Sequence, residues 1–207
     1  MSYANQQDIQ EFYQVAQSRD FARDFLFRIG DIVLPGIEFK DSELVYVKTA
    51  ELPARSISNI KTPYMGLDFN IPGNTTYPGS DAYAVKFYLD AQSELRTKLE
   101  EASRTVFNDQ FSTGQYNTPT VEHYIVLHQL DKTLKVTNTY KLVGASIRDI
   151  QNIQYQMATG NGGTVELDAT ISYHYYTMDK ASGNGNPTET IGANVRTEGA
   201  APGFGNF

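Results

Sequence analysis

Three observations predict a mostly β fold with one flanking α-helix and an extended C-terminal tail. Between 165 and 175, Val165, Leu167, Ala169, Ile171, Tyr173 and Tyr175 alternate with Glu166, Asp168, Thr170, Ser172 and His174. Period two over that length predicts a strand with one face on a core and one face wet. Leu95, Leu99, Ala102 and Val106 recur at spacings of four, three and four, which predicts a helix with one buried face. Residues 180–207 are rich in Gly, Asn and Thr, with only Ile191, Val195, Phe204 and Phe207 as apolar anchors. That composition predicts an extended tail. The chain therefore divides into an N-terminal arm (1–20), one domain (21–179) and the tail (180–207).

In order, the arm places Ile9, Phe12, Tyr13 and Ala16 at helical spacing between Gln, Asp and Glu, a short amphipathic helix. Phe25, Phe27 and Ile29 then alternate with Leu26 and Arg28, and Gly30-Asp31 is read as a turn before Ile32 and Leu34. Over 38–71 short strand-like runs are broken by Pro53 and Pro63, each marking a strand end, an edge or a bulge. PGNTTYPGS at 72–80 reads as a loop. Tyr83, Val85, Phe87 and Leu89 alternate with Ala84, Lys86 and Tyr88 as the next strand. The helix follows, with Asp90 or Ser93 as its cap and acid-first pairs at Glu94–Lys98 and Glu100–Arg104. After the Ser112–Thr120 loop, strands at 121–130 and 133–143 flank Asp131-Lys132 as a hairpin. On the second of these, Leu134, Val136, Asn138, Tyr140 and Leu142 share one face, and Lys135, Thr137, Thr139 and Lys141 the other.

A chain of 207 residues, 40% hydrophobic and 20% charged, is long enough to bury a core and has no disordered composition overall. Its 14 Tyr and 11 Phe without any Trp suit half-buried pleated surfaces. A net charge of −7, with 17 scattered basic residues, argues against a protein that grips phosphates, which would gather Lys and Arg into stripes. The absence of Cys excludes a disulfide framework and a thiolate metal site. MSYANQQDIQ has no apolar export core, and no apolar run reaches membrane-spanning length, so a soluble cytoplasmic protein is expected.

Candidate chemistry is sparse. His123 and His128 lie five apart on a strand, hence on opposite faces, and His174 stands on the polar face of its strand, so structural histidines are expected rather than a metal site. Asp68, Asp81 and Asp90 read as separate turn or cap residues. ATGNGGT at 158–164 lacks the lysine and following helix of a phosphate loop, and no Ser stands in a nucleophile elbow. No enzyme and no cofactor is expected.

The order of five segments carries a resemblance: DFARDFLFRIG (20–30), KTAELPARSISNIKTPYMGLDFNIPGNTTYPG (48–79), AVKFYLDAQSELRTKLEEASRTVFN (84–108), YIVLHQLDKTLKVTNTYKLVGASIRDIQNIQ (124–154) and VELDATISYHYYTM (165–178). Together they resemble the tail tube protein of contractile-tailed (myovirus-type) bacteriophages. The resemblance implies a β-sandwich or small barrel with a flanking helix, and a structural virion protein. Six-membered rings would stack into the inner tail tube that conducts DNA, with long hairpins from each subunit joined around the lumen. The implied partners are further copies of the chain, the tail sheath, baseplate and tube-terminator proteins; the tape measure protein and DNA would pass through without specific binding. The virion tail, assembled in the host cytoplasm, would be its location. Leu52, Pro53 and Ala54 match the family's LPA turn, and Ile57–Tyr77 the hairpin and loop that contact the next ring, making Ile60, Pro63, Tyr64 and Met65 ring-stacking residues. Tyr140–Gly144 matches a strand near the lumen, and Leu95–Phe107 the outer helix. Asp68, Asn70 and Glu122 are the expected lumen-facing residues, because an acidic wall would let DNA pass without holding its phosphates. Lys135 and Lys141 must then lie against acids or away from the bore. The tail anchors Ile191, Val195, Phe204 and Phe207 are expected to dock on a neighbouring subunit or the tube's outer surface. The chain departs from relatives at Phe107 (often Trp), at Ser146 (often Pro) and in its tail. A baseplate tube-initiator or tube-terminator would share the fold. A carbohydrate-binding or adhesin β-sandwich is the reading from another class, weakened by the absence of Trp.

Overall fold

The computed structural model describes residues 9, 13–14, 22–115, 119–155, 162–181 and 187–191. Most of the arm, and the tail anchors Val195, Phe204 and Phe207, lie outside them; Ile9, Tyr13 and Gln14 are helical. In chain order the elements are β1 (Phe27–Leu34), β2 (Ile37–Glu38), a one-turn helix α1 (Asp41–Leu44), β3 (Val47–Ala50), β4 (Ser56–Tyr64), β5 (Leu67–Thr76) and β6 (Tyr83–Tyr88). The long helix α2 (Glu94–Val106) follows, then β7 (Phe107–Asn108), β8 (Thr113–Gly114), β9 (Tyr124–Leu130), β10 (Val136–Val143), β11 (Ser146–Ile150), β12 (Glu166–Ser172), β13 (Tyr175–Ala181) and β14 (Pro187–Ile191).

Two antiparallel sheets form the body. One has six strands in the order β14-β13-β10-β9-β1-β2, the other four in the order β11-β12-β6-β3. Their inner faces share one core: Ile29 and Ile32 of β1, Ile125 and Leu127 of β9 and Leu142 of β10 meet Val85 and Phe87 of β6 and Leu167, Ala169 and Ile171 of β12. This is the sandwich that alternation along β6 and β12 demands, since each strand buries every second side chain. Leu95, Leu99 and Ala102 of α2 complete the same core beside β11, with Val106 half-buried at the helix end.

Three features of the sheets differ from the sequence expectation, each for a local reason. The alternation from 165 to 175 is not one strand. Tyr173 is buried but His174 and Tyr175 are exposed, and the chain there crosses from the four-stranded sheet to the six-stranded one. β10 and β11 make the same crossing at Gly144, so 136–150 and 166–181 form one long antiparallel pair folded over a shared corner. Gly144 has φ +75°, and a Cβ there would meet the His174 ring at 2.2 Å; only glycine permits the corner. Gly30-Asp31 is not a turn: β1 runs through it with a bulge, and His128 Nε2 stands 2.3 Å from where a Gly30 Cβ would lie. The turn comes later, at Pro35-Gly36, where Gly36 has φ +78°. Finally, β13 continues past the expected boundary at 179, and β14 pairs with it from Met178↔Ile191 to Ala181↔Pro187. Residues 187–191 of the expected tail thus add a strand. Ladder bonds are made by backbone groups, so a Gly- and Asn-rich composition does not forbid one on an open edge.

The helix matches its prediction in the buried stripe and differs in its surface pairs. Asp90 is the cap: its carboxylate accepts the amides of Glu94 (3.0 Å) and Leu95 (3.3 Å), while Ser93, at φ 57°, makes no side-chain cap bond. Burial would raise the Asp90 carboxyl, but those amide bonds prevail and hold it below the usual carboxylate value. Lys98 turns away from Glu94 to pair with Glu43 of α1, and Glu100 takes Arg96 at 2.9 Å and Arg104 only at 3.9 Å. A contact between elements outcompetes the weak exposed pair that spacing alone suggested.

Candidate assembly surface

β4 and β5 form a two-stranded hairpin apart from both sheets. The strand-like runs that Pro63 interrupts, within the Ile57–Tyr77 hairpin-and-loop match, and the 72–76 part of the expected loop are paired from Ser56↔Thr76 to Tyr64↔Leu67. Met65 and Gly66 close it with φ values of 51° and 80°, the two positive values of a tight type I′ hairpin turn. Pro63 fits because both hairpin strands are edges, where a missing N–H leaves no central ladder unsatisfied.

Register sorts the side chains. Ile60↔Ile71, Thr62↔Phe69 and Tyr64↔Leu67 stand on one face; Lys61↔Asn70 and Pro63↔Asp68 stand on the other. The first face is apolar, and every residue of both strands except Gly73 is exposed. At the tip Met65 is 86% exposed. An isolated two-stranded hairpin is marginal in water, and an exposed apolar patch of this kind marks a contact site.

The hairpin's base is fixed firmly. The Tyr83 hydroxyl, buried and with its pKa raised by that burial, donates to the Glu51 carbonyl at 2.6 Å, just ahead of Leu52, Pro53 and Ala54. On the returning side Tyr77 packs edge-on against Tyr176 with ring centroids 5.5 Å apart. Between these anchors Arg55 donates to Thr75, and Ser58 bonds Asn74. The expected stacking residues Leu52, Pro53, Ala54, Ile60, Pro63, Tyr64 and Met65 are therefore brought together on one projection and its root, with Leu52 itself exposed.

The expected lumen residues divide. Asp68 and Asn70 share the hairpin's polar face, but Lys61, opposite Asn70, shares it with them, a cation the sequence reading did not place there. Glu122 sits on the turn ahead of β9 rather than on a hairpin strand. Of the two lysines, Lys141 stands on the outer face of the six-stranded sheet with its ammonium 3.8 Å from the centre of the Tyr124 ring, a cation–π contact. Lys135 belongs to the β9–β10 turn, where its amide donates to Asp131 at 2.9 Å. Leu134 is there too, exposed at φ 60° rather than on the strand face expected for it.

The outer faces are wet and cross-linked by charge. On the four-stranded sheet Lys86 pairs with Asp168 at 3.0 Å and Lys48 with Glu166. His128, half-buried on the other sheet, bonds Thr139 Oγ1 at 2.9 Å; burial first, and Arg28 beside it second, push its pKa down. His123 Nδ1 accepts the Thr120 amide at 3.0 Å, and His174 fills the Gly144 corner. The three rings occupy separate structural positions, and among the described residues no three His, Asp or Glu side chains group as metal ligands.

No protein-family model and no curated protein sequence matches the chain. Solved structures do. A chain of the anti-feeding prophage baseplate matches with TM-score 0.54 at 11% identity, over 77% of this chain and 96% of that one. A chain of the cap that terminates the anti-feeding prophage tube matches with TM-score 0.52 at 12% identity, over 79% of this chain and 93% of that one. The chain shares with these baseplate and tube-cap chains a tail-tube-type β fold.

Proposed function

We propose that the chain is a structural subunit of a contractile tail, assembling into hexameric rings that stack into the inner tube through which DNA is ejected. The observation that carries this reading is the β4–β5 hairpin, firmly rooted yet exposing an apolar face that none of the described residues covers. Rings follow from heterologous contacts, in which one surface of a copy meets a different surface of the next and the rotation closes. The six-stranded sheet supports this, since among the described residues β2 and Phe39 bond only the Ile32–Leu34 end of that β1 edge and leave the rest of it open. Tail sheath, baseplate and terminator proteins are the partners outside and at the ends. On this reading the hairpin's Asp68 and Asn70 turn toward the bore, and residues 192–207 reach a neighbour or the sheath.

A baseplate tube-initiator or a tube terminator is the second reading, supported by the likeness to a baseplate and a cap structure. Sedimentation and negative-stain microscopy at rising concentration separate the two. A tube subunit gives rings with a central hole that stack without limit; an initiator or terminator gives rings that stop at one or two layers. A strict monomer at high concentration, with or without preformed baseplate, rejects both.

A further inference from the structure

The two edges of the six-stranded sheet are capped only in part. At one, the stretch from Phe27 to Asp31 of β1 has no partner strand among the described residues. A trough of about 660 Å³, bounded by Leu44, Val45 and Val47, lies along it. At the other edge β14 holds β13 through four residue pairs, from Met178↔Ile191 to Ala181↔Pro187, with a register shift between Lys180 and Ala181. There Asp179 has one carboxylate oxygen, Oδ1, buried without a hydrogen-bond partner. A buried acceptor left alone in this way asks for a donor.

From β1 to β14 every neighbouring pair is antiparallel, so β1, β10 and β14 run one way and β9 and β13 the other. A rotation that carries one copy's sheet into the next keeps those directions. The neighbour's β1 would therefore lie antiparallel to β13 but parallel to β14. We propose that β14 is a stand-in strand, which the Phe27–Asp31 stretch of a second copy displaces from β13 on assembly. The exchange matches in direction and in length, five residues for five, and avoids a parallel pair, the weaker kind. It matches in charge as well. Arg28, His128, Thr139 and Asp179 stand opposite one another across four strands, and the His128–Thr139 bond puts that row on one face. With the incoming Arg28 opposite Asp179, Ile29 comes beside Met178, in the row that already holds Leu127 and Tyr140, so both faces of the sheet stay continuous. Arg28 is exposed and forms no ion pair among the described residues, and its guanidinium supplies the donor that the Asp179 carboxylate lacks. A lone subunit thus keeps its β13 edge closed until a neighbour arrives. The inference rests on the ring assembly proposed above.

The chain has no cysteine of its own, so one introduced pair can pin β14 in place. Lys180→Cys and Glu189→Cys, opposite each other in the ladder, are combined in one chain, and its assembly is followed reduced and oxidised by sedimentation and negative-stain microscopy. Rings from the reduced protein and unassembled subunits from the oxidised protein, at equal concentration, are the expected result. Equal rings in both states overturn the inference and leave the proposed function standing. A parent chain that forms no rings rejects that function, and the inference with it. Arg28→Glu should raise the concentration needed for rings several-fold, and adding Asp179→Arg to the same chain should bring it back. A double variant no better than Arg28→Glu alone overturns the contact, and with it the exchange.

Discussion

At Gly144 a single methyl group decides whether two sheets can share one strand pair. The residue combines a positive φ with a neighbour, the His174 ring, standing where a Cβ would project. Gly144→Ala is expected to cost about 1–3 kcal/mol from backbone strain alone, with the ring's displacement in addition. A lowered denaturant midpoint with an unchanged slope would confirm it; an unchanged midpoint would show that the corner tolerates a side chain. His128 makes a second residue-scale prediction. Its folded pKa is depressed, by burial and then by Arg28, so the unfolded chain binds the proton more readily. Stability is therefore complete above the unfolded histidine value, about 6.5, and falls as the pH drops below it. Unfolding free energies measured from pH 7.5 to 5.5 should show this slope, and His128→Gln should flatten it.

Among the elements, α2 and the β4–β5 hairpin are opposites. The helix is committed to the core by Leu95, Leu99 and Ala102, so Leu99→Ala should destabilise the fold by about 2–5 kcal/mol, read from equilibrium denaturation. Asp90→Ala should cost about 1 kcal/mol by freeing the amides of Glu94 and Leu95. The hairpin buries no side chain against the body, so substitutions on its apolar face act elsewhere. Phe69→Asp or Ile71→Asp should leave the monomer's stability within about 0.5 kcal/mol of the parent and yet abolish ring stacking in sedimentation. Amide hydrogen exchange over 56–76 should be fast in the free subunit and slow in the assembly; equal protection in both states would remove the hairpin from the interface.

For the whole molecule the question is how a subunit rich in exposed apolar surface stays useful rather than sticky. Directed surfaces are the answer proposed: a hairpin and an open β1 edge, each heterologous, so that contacts close into rings instead of growing at random. The tail makes a prediction at this scale. Removing residues 192–207 leaves β14 in place and should preserve folding while weakening stacking or sheath attachment. Cutting at 183 also takes away β14 and exposes the edge of β13, so that variant should aggregate more. A chain cut at 191 that polymerises and binds sheath like the parent would deny the tail its role.

Sequence alone determined whatever depends on one strand or one helix at a time. The alternation of β6 and β12, the buried stripe of α2, the Asp131 hairpin and a helix cap at Asp90 or Ser93 are local periodicities and local hydrogen bonds, legible because each side chain's environment follows from its neighbours along the chain. Segment order carried the family resemblance for the same reason: it is a property of the chain read in line. Tertiary structure decided the rest. A uniform alternation from 165 to 175 does not reveal that the strand changes sheets, because Tyr175 continues the apolar spacing, whereas past the corner Tyr175 is exposed and Tyr176 packs against the core. Lys98 chose Glu43 over Glu94 because a distant turn of helix happened to lie beside it. The apolar face of the hairpin, and the lysine that shares the polar face with Asp68, emerge only once Met65 and Gly66 set the register. Register is a relation between two strands, and a one-residue slip exchanges every face, so only the paired structure could settle which side chains stand together.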